Sequence, residues 1–111
     1  MNIRSFITGW IKISNAYDTE KYLSFFREDA ILDDPSVGRK FIGYKGIREY
    51  FTSYFIGYKT QTRLVKLSIH GGEKAYLEVE FTGEFPGGKI GGTFDFIFAK
   101  DKISFVKALL I

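Results

Sequence analysis

From Asn2 to about Ser14 the apolar residues Ile3, Phe6, Ile7, Trp10 and Ile11 recur every three or four positions, the spacing of one buried helical stripe. Asp18 then reads as the N-cap of a second helix. Glu20 lies in its first turn, Tyr17 and Tyr22 are spaced as a hydrophobic staple, and the apolar positions run on through Leu23, Phe25 and Phe26. Ala30 to Asp33 has the look of a short strand stopped at Asp34-Pro35, because proline lacks an N–H and keeps its predecessor out of helical geometry. A loop is expected to about Gly43. Helical spacing returns at Ile47, Tyr50, Phe51, Tyr54 and Phe55, with Gly57 as the expected left-handed stop.

Beyond Tyr58 the period changes to two. Arg63, Val65, Leu67 and Ile69 alternate with Thr62, Leu64, Lys66 and Ser68. After a turn at His70-Gly71-Gly72-Glu73, Ala75, Leu77, Val79 and Phe81 alternate with Tyr76, Glu78, Glu80 and Thr82. Pro86-Gly87-Gly88 turns the chain into a strand over Thr93 to Ala99. A tight turn at Lys100-Asp101 leads to a last strand over Ile103 to Leu110. Three helices and a short strand followed by a four-stranded meander make an α+β plan in one domain spanning 1–111, with the helices on one face of the sheet.

Composition narrows the chemistry. The chain has no cysteine, which excludes disulfides, a thiol nucleophile and thiolate-ligated metals. Its one histidine, His70, falls at a hairpin tip without companions, so no metal site and no cofactor is expected. The net charge of +3 arises from 16 basic residues dispersed among 13 acidic ones, too diffuse for a nucleic-acid-binding stripe. The N-terminus has no apolar signal-peptide core and no apolar run is long enough to span a membrane, so a soluble cytoplasmic protein is expected. Aromatic residues, 12 Phe, 7 Tyr and one Trp, reach 18%, a surplus that suits a ligand cavity or a subunit interface, or else a phenylalanine-rich core.

Three segments carry a resemblance: Asn15-Ala16-Tyr17-Asp18, Phe25 through Asp34-Pro35, and Gly43-Tyr44-Lys45-Gly46-Ile47-Arg48-Glu49-Tyr50-Phe51. Phe94 to Phe98 and Lys102-Ile103 extend it into the closing hairpin. Together they resemble the SnoaL-like group of the nuclear transport factor 2-like superfamily. The resemblance implies a cone in which three N-terminal helices pack on a curved, mainly antiparallel sheet around an apolar pocket. The superfamily holds ketosteroid isomerases, polyketide cyclases, dehydratases and members without chemistry, so the site must decide.

By resemblance to ketosteroid isomerases, Asp34 matches the general base and Asp95 the late-strand acid that donates to an oxyanion. The family's helix tyrosines correspond to Trp10, Phe26 and Phe51, two of which have no donor; loss of one such donor typically costs about 10²- to 10³-fold in rate. Trp10, Phe26, Phe51 and Tyr54 are the expected pocket walls.

The bare residues leave alternatives open. Asp34 equally suits a surface turn before proline. Asp95 equally suits a carboxylate paired across the sheet with Lys107 or Arg63. The leading expectation is a cofactor-independent protein that holds a small apolar molecule, with Asp34 and Asp95 in acid-base roles. The alternative is a non-enzymatic ligand-binding or dimeric interaction domain, in which Tyr76, Phe94, Phe96 and Phe98 on the open sheet face form a homodimer contact.

Overall fold

A computed structural model describes residues Met1 to Ile111. Helix α1 (Ile3–Asn15) starts where the Asn2 side chain accepts the Ser5 N–H at 2.9 Å, and it buries Ile3, Ile7, Trp10 and Ile11 as the spacing predicts. Its last residue clasps the sheet: Asn15 accepts the Thr62 N–H at 2.7 Å and donates to the Thr62 carbonyl at 2.9 Å. Tyr17 takes a left-handed φ of 58° and redirects the chain into α2 (Thr19–Ser24), capped by Asp18 as expected.

Helix α2 ends sooner than the apolar spacing suggests. Phe25 and Phe26 leave it because Ile103 donates its N–H to the Phe25 carbonyl at 2.9 Å and Phe26 begins strand β1 (Phe26–Asp34) beside Ile103. A long-range ladder overrides a local pattern here. Strand β1 is thus longer than the four residues expected. The expected loop after Pro35 holds strand β2 (Arg39–Ile42), antiparallel to β1.

Helix α3 (Gly43–Phe51) runs without a break into a π-helical turn over Thr52–Ile56. Gly57 is not the left-handed stop, for its φ is −58° and Lys59 takes the left-handed conformation at 51°. Glycine is required at 57 for another reason: a Cβ there would lie 2.5 Å from the Ser53 carbonyl oxygen.

The meander follows as β3 (Gln61–His70), β4 (Lys74–Thr82), β5 (Lys89–Ala99) and β6 (Lys102–Leu110). The sheet order is β2-β1-β6-β5-β4-β3, and only the β1–β6 contact is parallel. Helices cover one face of this curved α+β sheet. Strand β3 does not alternate strictly, since a bulge between Leu64 and Lys66 leaves Val65 without a partner. Thr62 and Leu64 therefore share a face with Leu67, which pairs with the buried Leu77.

The second change of face concerns β5. Phe94, Phe96 and Phe98 are 1%, 2% and 5% exposed and form the core rather than an open dimer face. Trp10 meets Phe94 and Phe96 edge-on at 5.1 and 5.3 Å, and Phe6 meets Phe98 at 5.4 Å. A period of two says which residues share a face but not which face the helices cover. No helix is long and apolar enough to cross a membrane.

Candidate functional site

Between the end of β1, the π-helical turn and the far ends of β4, β5 and β6 the packing stops short and leaves a cavity of about 260 Å³. Nine of its twelve lining residues are hydrophobic. The acid on its wall is Asp34, which is only 8% exposed. The Asp-Pro turn and the site are the same feature: Asp34 Oδ1 accepts the Ser36 N–H at 2.9 Å, and the Val37 N–H reaches the Asp34 carbonyl at 3.2 Å.

Burial pushes the Asp34 carboxyl pKa above its ordinary value, and the nearby Asp33 charge adds to this. Hydrogen bonds from Ser36 and Val37 favour the charged form and hold the rise back. Ser36 also ties this turn to the opposite wall, because its Oγ accepts the Leu110 N–H at 3.0 Å. Leu110 and Ser36 both line the cavity, so one hydroxyl fixes the acid relative to the last strand.

Tyr50 is the neighbouring polar group. Burial pushes its phenol well above the usual tyrosine range, and charges on Tyr22, Asp34 and Tyr54 would add to the shift. Its hydroxyl therefore keeps its proton at neutral pH and can donate, while Asp34 accepts. Tyr50, Tyr54 and Tyr58 follow one another at four-residue intervals from the end of α3 through the π-helical turn to just beyond Gly57, and all three line the cavity. Phe55, Phe81 and Phe85 complete the aromatic wall.

Of the pocket residues expected from the sequence, Asp34 and Tyr54 lie on this wall. Trp10, Phe26 and Phe51 do not, being 1%, 0% and 0% exposed in the filled interior. There Trp10 stacks on Tyr22 at 5.8 Å, and Tyr22 stacks on Phe51 at 3.9 Å. The Trp10 Nε1 is buried without a hydrogen-bond partner inside this stack and is not on the cavity wall.

Asp95 does not converge with Asp34. It is exposed on the uncovered sheet face, directly between Tyr76 of β4 and Lys107 of β6. The expectation of paired acids in one cavity is corrected by the phase of β5, which turns Phe94 and Phe96 inward and Asp95 outward. A second hollow of about 320 Å³ lies on that outer face, with Asp95 among Lys74, Lys107 and His70. Half of its eight lining residues are polar, and it carries no buried acid. No three His, Asp or Glu side chains converge as metal ligands.

The cavity residues missed by the sequence reading include Tyr50, Tyr58, Phe55, Phe81, Phe85 and Ile90. The Tyr50-Tyr54-Tyr58 row was a usable signal: three polar-tipped rings along one edge of an otherwise apolar stripe mark the side facing open space rather than packed core. Nothing comparable marks Phe81 or Ile90.

The fold has many counterparts of low sequence identity. The enzyme SalBIII, epoxide hydrolase/cyclase-like and involved in pyran ring formation in the polyether salinomycin, superposes with a TM-score of 0.86 at 19% identity, over 97% of this chain and 89% of that one. A Sinorhizobium meliloti protein named as a polyketide cyclase gives 0.84 at 18%, over 94% and 93%. A Kribbella flavida protein named as a ketosteroid isomerase gives 0.83 at 16%, over 97% and 76%. Among curated proteins, none matches the sequence. The sequence model of the SnoaL-like domain matches residues 7–104, most of the chain, from within α1 to the start of β6. The chain belongs to the SnoaL-like domain family.

Proposed function

We propose that the protein holds a small, mainly apolar molecule in the Asp34 cavity and moves a proton there without a cofactor, in the manner of an isomerase, cyclase or dehydratase. The observation that carries this reading is a nearly buried carboxyl on a mainly apolar wall. Desolvation raises its basicity, and the Tyr50 phenol beside it supplies a hydrogen-bond donor for charge developing on the substrate. The roles named for the structural neighbours, ring closure and isomerisation, are compatible with one acid and one phenol. At about 260 Å³ the cavity is just below the ~300–1,000 Å³ usual for ligand pockets, which favours a compound of one or two rings.

Asp34→Asn and Asp95→Asn tested side by side on such compounds separate this site from the outer face. Turnover is lost in the first variant and kept in the second. Equal losses in both, or retention in Asp34→Asn, would overturn the assignment.

A second reading concerns assembly. Ile42, Ile31, Phe105 and Ile97 fall in one register row across β2, β1, β6 and β5 on the uncovered face, and Ile42 and Ile97 are 64% and 40% exposed. The adjacent row reads Lys40, Asp33, Lys107, Asp95 in strand order. Alternating signs are self-complementary when the row of a second copy runs antiparallel in register, Lys40 opposite Asp95 and Asp33 opposite Lys107, so we propose that this face forms a homodimer. Sedimentation analysis is expected to show a dimer that Phe105→Lys converts to a monomer. A monomeric parent protein contradicts it.

A further inference from the structure

The chemistry of the cavity wall narrows the ligand further than size and apolarity do, on the assumption that the cavity is a ligand site at all. Six of its twelve lining residues are aromatic: Tyr50, Tyr54, Phe55, Tyr58, Phe81 and Phe85. Asp34 is the acid among them, and the wall contains no Lys, Arg or His. The nearby cation Arg39 is already engaged. Its guanidinium makes two hydrogen bonds to the Glu49 carboxylate, at 2.8 and 3.1 Å, and lies over the Phe41 ring at 4.4 Å.

Three pairs of these rings meet at large angles, while Phe55 also stacks on the core ring of Phe51 at 23°. Phe55 and Phe81 meet at 85°, Tyr58 and Phe85 at 81°, and Tyr50 and Tyr54 at 51°. Ring faces carry the negative end of the aromatic quadrupole and attract cations. A wall of six rings and one carboxylate, with no cation, can meet positive charge but offers no charge partner to an anion.

Three ligand classes respond differently. A carboxylate or phosphate would be repelled by Asp34 without any cation on the wall to hold it. A neutral apolar compound would gain from burial but would cover the Asp34 charge and leave it without a counter-ion. An ammonium bearing alkyl groups or one ring pairs its charge with Asp34 and places its polarised C–H groups against the ring faces. Cation–π contacts of this kind contribute about 0.5–1 kcal/mol at exposed sites and about 2 or more when desolvated. We propose that the cavity of Asp34 and its six rings selects a small organic cation, a substituted ammonium, over neutral and anionic molecules of the same shape.

Choline and dimethylbutanol, its uncharged isostere with carbon in place of nitrogen, differ in that charge alone. Both are titrated into the protein at constant ionic strength and neutral pH, with side-chain NMR signals of Tyr54 and Ile90 as the readout. Choline is expected to bind about tenfold or more tightly than the alcohol, and Asp34→Asn is expected to bring the two close to equality. If the alcohol binds as tightly as choline or more so, the selection for cations is wrong while the pocket stands. If neither compound, nor phenol as a neutral ring, shifts the cavity signals, the pocket reading falls and this inference falls with it.

Discussion

Trp10→Ala is expected to lower the stability of the fold by about 3–5 kcal/mol, the usual cost of removing a large aromatic side chain from a closed core. Trp10 is 1% exposed and touches three other rings, Tyr22, Phe94 and Phe96, so alanine would leave a void that helix α1 cannot fill without losing its clasp on β3. Domains of this size have about 5–15 kcal/mol in all, which places the variant near the edge of folding at ambient temperature. Urea denaturation of the purified variant measures the change directly. Where the variant remains folded, ligand affinity at the Asp34 cavity is expected to be unaltered, because Trp10 does not line it. A stable variant that has lost binding would place Trp10 against the ligand, as the family resemblance implies and the packing denies.

Asp34→Asn is expected to act with opposite signs on stability and function. Proton transfer at a positioned acid or base contributes about 10²- to 10⁴-fold, and the amide can do neither, so turnover should fall by that order. Stability should rise at neutral pH. The folded-state pKa of Asp34 is raised above the unfolded value of about 3.9, so between those two values the folded protein binds more protons than the unfolded chain. Stability therefore falls as pH increases through this window. Asparagine retains the Oδ1 that accepts the Ser36 N–H but cannot ionise, so the variant should lack this fall. Denaturant titrations of both proteins from acid to neutral pH test the sign. A variant less stable than the parent at pH 7 would mean that Asp34 serves the turn more than the site.

These expectations depend on features that the sequence shows unequally. The stripe of α1, the Asp18 cap and the alternation of β4 follow from local periodicity, and each appears where the pattern puts it. Strand β2 does not, because four residues beside a proline turn carry no period of their own and become a strand only by pairing with β1. The same holds for Phe25 and Phe26, which a distant strand draws out of a helix. The bulge at Val65 and the inward phase of β5 depend on how the sheet meets the helices, and alternation alone is silent on both.

The site shows the same division. Asp34 was marked by its place before Pro35 and by resemblance, and the structure adds that its carboxyl is nearly buried at a cavity. Trp10, Phe26 and Phe51 were expected to line a central pocket; instead, bulky rings from facing elements fill the middle of the cone. Open volume survives only toward the end where Tyr50, Tyr54 and Tyr58 succeed one another. Such filling depends on which side chains meet across the interior, which no single segment specifies.

Chemical-shift mapping with a small aromatic ligand such as phenol or benzylamine tests the central claim most directly, since it reports where a small molecule goes without presuming a reaction. The account predicts that side-chain signals of Tyr50, Tyr54, Phe85 and Ile90 move together and saturably, while those of Tyr76, Ile97 and Phe105 on the outer sheet face stay in place. Shifts confined to the outer face, or signals from the cavity residues that do not move with any ligand, would contradict it.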